Sequence, residues 1–70
     1  MEKGQKTFYR NYYLRYLEAD QKTRQAARDH WTKAHAENIL SDRNDMIIFS
    51  GQILAMIMLA EKTLENQKTA

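Results

Sequence analysis

The sequence predicts an all-α protein built as a long helical hairpin, with helices over about residues 6–39 and 42–66, pairing into an oligomeric helical bundle. Three observations carry that expectation. The chain has no proline and only two glycines, so little punctuates its long stretches. Apolar residues recur at helical spacing through residues 7–38 and again through 46–64. The second of these stretches is apolar around more of its circumference than one partner helix covers.

In the first helix, Phe8, Tyr9, Tyr12, Tyr13, Tyr16 and Leu17, then Ala26, Ala27, His30, Trp31 and Ala34, fall on one half of a 3.6-residue wheel. Arg10, Asn11, Arg15, Gln21, Lys22, Gln25, Arg28, Asp29 and Lys33 fall on the other. Glu18 with Lys22 and Asp29 with Lys33 have the i, i+4 order that supports an exposed helix face by a few tenths of a kcal/mol each. Asp20 interrupts the apolar face and carries an N-cap side chain, which makes a three-helix arrangement with a break near residue 20 the alternative. The apolar phase is the same on both sides of Asp20 and no Gly or Pro stops the helix, so one continuous helix is expected.

A short turn near residues 39–42 makes the two helices antiparallel neighbours, with Ser41 or Asp42 expected to cap the second and Asp45 favourably placed in its first turn. Asp42, Asn44 and Asp45 do not form a calcium loop. Ile47 stands at the sixth position, where glycine is needed, and Ile53 at the twelfth, where a bidentate glutamate belongs.

The second helix contains MIIFSGQILAMIMLA, residues 46–60. Met46, Phe49, Ile53, Met56 and Ala60 alternate steps of three and four, with Ile57 and Leu64 extending the same side, a seam that faces the first helix or the bundle centre. Ile47, Leu54 and Met58 form a second strip about 100° away, and Ile48 with Leu59 a third on the far side. A bilayer span needs about 20 apolar residues, and these fifteen reach only about 22 Å, with charges at both ends. Association is therefore the expected use of the extra strips, and Ile47, Ile48, Gly51, Leu54, Met58 and Leu59 are the candidate interface. Ser50 and Gly51 together suggest a close helix crossing, with Gly51→Leu expected to disrupt assembly.

FYRNYYLRYL, residues 8–17, supplies a candidate aromatic and basic partner surface of Tyr9, Arg10, Tyr13, Arg15, Tyr16 and Trp31. Such residues stack on bases and meet phosphates, but their helix side makes packing the stronger expectation. Residues 1–40 carry eight Lys/Arg against five Asp/Glu, and residues 41–70 three against four, a weak polyanion footprint.

Composition limits the remainder. A 70-residue chain forms one domain, expected here to have short flexible ends over 1–5 and 67–70. At this size a core is marginal without a disulfide, a metal or a partner. With no cysteine, disulfides and thiolate zinc sites are excluded. His30 and His35, five apart, point about 140° from each other on a helix and do not make a zinc pair. No nucleophile constellation or phosphate loop is present, and MEKGQKTFYRNYY, residues 1–13, does not read as a secretory signal.

The expectation is a cytoplasmic, non-enzymatic regulator or inhibitor without cofactor, acting through protein contacts. It is expected to be a homo-oligomer, favoured as a dimer, with a larger protein as possible partner and no membrane role. The alternative is a dimeric helical module that binds nucleic acid through the first helix.

Overall fold

The computed structural model describes the backbone of residues 2–69 and the side chains of residues 7–68. Three helices follow one another: α1 (Glu2–Glu18), α2 (Gln21–Leu40) and α3 (Asn44–Thr69). No strand occurs among the described residues, and the all-α class stands. The three-helix alternative, broken near residue 20, is the arrangement formed, and the continuous first helix over 6–39 is not. The helices also run past the predicted outer bounds, to Glu2 and Thr69.

Local chemistry explains the break. Asp20 is extended (φ −76°, ψ 169°), and its Oδ1 accepts the Thr23 backbone N–H at 2.8 Å, which satisfies a donor that the start of α2 leaves open. The Arg24 N–H reaches the Asp20 carbonyl at 2.9 Å. On the α1 side the Ala19 N–H is shared between the Arg15 and Tyr16 carbonyls at 3.0 and 3.2 Å, and the Arg24 guanidinium donates to the Ala19 carbonyl. Glu18 and Lys22 consequently stand on opposite sides of a break and are not an i, i+4 helix pair.

Both legs of the broken stretch pack on α3. Asn38 lies beside Met46, His35 beside Ser50 and Arg28 beside Glu61, so α2 runs antiparallel to α3. Phe8 and Tyr9 meet Phe49 while Tyr13 and Tyr16 reach Thr63 and Glu61, so α1 runs in the same sense as α3. The result is an up-down-up bundle in which α3 is the shared wall. Its inner stripe, Ser50, Ile53, Ile57 and Ala60, is fully buried, together with Tyr16 from α1. None of the residues of α2 is.

The second turn departs from expectation in its capping. Ser41 closes α2, its N–H reaching the Glu37 carbonyl at 2.9 Å while the Asp42 N–H reaches that of Ile39 at 3.1 Å, and does not cap α3. Asp42 is left-handed (φ 56°), and the Arg43 N–H returns to the Asn38 carbonyl at 3.1 Å. That is the helix-ending pattern in which glycine is the usual left-handed residue. Aspartate is among the few others that tolerate it.

Candidate interaction surface

The wall helix has two faces of different character. On the inner one, the Phe49 ring lies 5.9 Å from Phe8, 6.3 Å from Tyr9 and 5.7 Å from Trp31, the last edge-on. One α3 side chain thus joins rings from both other helices, tilted against Phe8 and Tyr9 and T-shaped against Trp31, at the centroid separations aromatic pairs prefer. His30 stacks edge-on against Trp31 at 5.1 Å.

A polar clamp sits one turn further along. The Ser50 hydroxyl donates to the Met46 carbonyl at 2.7 Å and receives His35 Nδ1 at 2.6 Å. Its single proton being given to the carbonyl, the ring nitrogen acts as donor. Asn38 Nδ2 adds longer bonds to Met46 and Ser50. Ser50 has no exposed surface, so this arrangement pins α2 to α3 and offers no oxygen to a substrate. A Cβ on Gly51 would lie 3.5 Å from His35 Cε1, an ordinary contact. The small residue therefore faces α2, and the steric effect of Gly51→Leu falls first on the hairpin.

At the other end Tyr16 donates to Glu61 Oε2 at 2.5 Å, and Arg28 Nε lies 3.7 Å from the same oxygen, too far to be a hydrogen bond. Burial, then the bond to Glu61 and its charge, hold the Tyr16 phenol pKa well above its ordinary value. Burial raises Tyr12 likewise, against a lowering from Trp31. Beside this network an open cleft of about 630 Å³ is lined by Arg24, Arg28, Glu61, Glu65 and Lys68 among others. Its charges are mixed in sign. No group of His, Cys, Asp or Glu among the described residues is placed to hold a metal ion.

The predicted aromatic and basic surface is distributed accordingly. Tyr16 is 4% exposed, Tyr9, Tyr13 and Trp31 are half-buried against the core, and only Arg10 and Arg15 stand in solvent. The predicted interface strips also divide. Ile47, Gly51 and Leu54 are half-buried, whereas Ile48, Met58 and Leu59 are 65%, 71% and 51% exposed. The outer face of α3 is thus the apolar surface the bundle leaves open.

Sequence reasoning passed over a second apolar patch. Leu40 is 86% exposed at the α2–α3 turn, with Ile39 and Met46 also exposed. The signal was two adjacent large aliphatics directly before the turn, where a helix end cannot bury both. The length argument against a bilayer span also changes: α3 is continuous, and an 18-residue window within its residues 44–68 reaches a mean hydropathy of 1.5, so by length and composition alone the helix is long and apolar enough to cross a membrane. The core helix of a soluble bundle satisfies the same test.

Comparison with protein-family models, with curated proteins and with solved structures finds no match.

Proposed function

We propose that this protein is a small, non-enzymatic regulator that self-associates through α3 and acts by binding a larger protein. The observation that carries the reading is the outer face of α3, where Ile48, Met58 and Leu59 stand exposed opposite the stripe that α1 and α2 bury. The described core has four fully buried apolar residues, which is small for a chain this size to rely on alone. Covering each large outer side chain contributes up to about 1.5–3 kcal/mol. A closed two-fold dimer is the commonest way a soluble protein does this. The exposed Ile39, Leu40 and Met46 at the turn form a separate patch that remains for the partner.

Membrane insertion of α3 is less well supported. It would strip away α1 and α2, breaking the Phe49 ring cluster, separating Ser50 from His35 and leaving Glu61 without Tyr16 and Arg28. A chain without cysteine needs no oxidising compartment to fold, consistent with a cytoplasmic setting.

Light scattering across a concentration series tests the self-association, with a mass of about twice 8.3 kDa expected and a monomer at every concentration rejecting it. The partner is tested by affinity capture. One stoichiometric protein, retained after nuclease treatment and moderate salt and lost with Leu40→Asp, is expected. Capture that nuclease abolishes would point to nucleic acid instead.

A further inference from the structure

The outer face of α3 has an internal order that goes beyond being apolar. Asp45, Ile48, Gln52, Ala55, Leu59 and Lys62 follow one another in steps of three and four, and all six are exposed. Alternation of that kind keeps one stripe facing a partner helix. The inner stripe of Ser50, Ile53, Ile57 and Ala60 lies on the opposite side, so the outer stripe is free along its whole length of about 26 Å. It is charged at both ends, with acid at the N-terminal end, base at the C-terminal end, and the apolar and small residues between. Neither Asp45 nor Lys62 belongs to the ion pair found among the described residues, which joins Arg28 to Glu61.

Resting on the self-association proposed above, we infer that this stripe pairs with the same stripe of a second copy in antiparallel sense, about a two-fold axis passing between Gln52 and Ala55. In that register every layer is complementary. Asp45 lies opposite Lys62 of the second copy, Ile48 opposite Leu59, and Gln52 opposite Ala55, and the two-fold axis repeats each pair. The small Ala55 side chain admits the longer Gln52 at the centre. Met58 flanks the stripe and covers its edge. A parallel pairing buries the same residues but sets Asp45 against Asp45, Lys62 against Lys62 and Gln52 against Gln52. Apolar area alone does not separate the two orientations; the charges at the stripe ends do, since like charges at a contact are unfavourable and steer against that partner geometry.

The chain has no native cysteine, so single thiols report the orientation directly. Ile48→Cys and Leu59→Cys chains are prepared separately, and each is treated with a short thiol crosslinker alone and after mixing. Antiparallel pairing predicts covalent dimers only in the mixture, because Ile48 and its own copy are then about 16 Å apart along the axis. Crosslinking of either chain with itself, in the absence of the other, means parallel pairing and overturns the inference while self-association stands. A dimer by light scattering with no crosslink in any sample overturns it as well, by placing the interface elsewhere. A strict monomer removes both readings together.

Charge exchange gives an independent reading. Asp45→Lys or Lys62→Glu alone raises the dimer dissociation constant roughly tenfold, since two attractive pairs become repulsive. The double variant returns it to within about twofold of the original. Two silent single variants, or a double variant weaker than either, overturn the antiparallel register.

Discussion

Tyr16 shows how much one side chain carries in a bundle this small. It is the buried residue among the described side chains of α1, it touches the core of α3, and its hydroxyl ties α1 to Glu61. Tyr16→Phe keeps the ring and deletes the bond, so the expected loss is about 1–2 kcal/mol, read as a lower urea midpoint. The pH dependence follows from the raised phenol pKa. The folded chain holds this proton to higher pH than the unfolded chain does, so the stability it contributes is complete below about pH 10 and falls as pH rises further. Tyr16→Phe should flatten that alkaline decline, leaving the smaller part due to Tyr12. Equal slopes for variant and parent above pH 10 would assign the decline to other groups. Asp20 acts in the opposite direction. Its carboxyl is held below the ordinary range, first by the side-chain hydrogen bond with Thr23, so the cap is present above about pH 4 and lost as pH falls through the lowered value. Asp20→Ala should lower Tm by a few degrees at neutral pH and converge with the parent in acid, monitored by circular dichroism.

At the scale of elements, α3 has α1 and α2 on one side, and the residue that serves both is Phe49. Phe49→Ala removes three ring contacts and opens a cavity between helices, an expected cost of about 3 kcal/mol. Against the usual margin of about 5–15 kcal/mol for a small domain, that is a large share, so Tm should fall well below the parental value, and a cooperative transition near the parental Tm would contradict this account of the junction. Asp42→Gly acts in the other direction. The left-handed backbone is already formed there, and glycine adopts it without a Cβ penalty, so a Tm gain worth up to about 1 kcal/mol is expected.

The same elements show what the sequence made legible. Periodicity located α3 and part of its inner stripe: Ile53, Ile57 and Ala60 are buried together, whereas Met46 of the expected seam is 43% exposed near the turn and Ser50, outside that seam, is buried. It also separated the strip of Ile48 and Leu59 from the rest. It did not divide residues 6–39, although Asp20 was visible as a capping side chain. A helix that folds back on itself keeps each leg's apolar phase, so phase does not distinguish a straight helix from a broken one. Capping at the second turn was misread for a related reason: Ser41 has the same hydroxyl whether it ends α2 or starts α3. The left-handed Asp42 backbone that decides between them leaves little mark in composition. The aromatic residues of α1 kept their packing role, because a tyrosine with a buried partner for its hydroxyl behaves as a core residue with one polar atom.

For the whole molecule, a thin core and an open apolar face mean that the proposed self-association would couple folding to protein concentration. If the native dimer is favoured over a native monomer, apparent stability depends on concentration, since association draws chains out of the unfolded pool by mass action. Tm should therefore rise with protein concentration over the range in which light scattering detects dimers. Leu59→Glu isolates the cause. Leu59 is exposed in the single chain, so an acidic residue there removes no intramolecular core contact, and the dilute variant should melt close to the dilute parent. In the dimer the same substitution sets a carboxylate against Ile48 of the second copy, an unpaired charge in an apolar layer. The concentrated variant should remain monomeric and lose the rise in Tm. A variant that melts early at every concentration would mean that Leu59 supports the hairpin itself. One that keeps the parental concentration dependence would place the contact between copies away from α3.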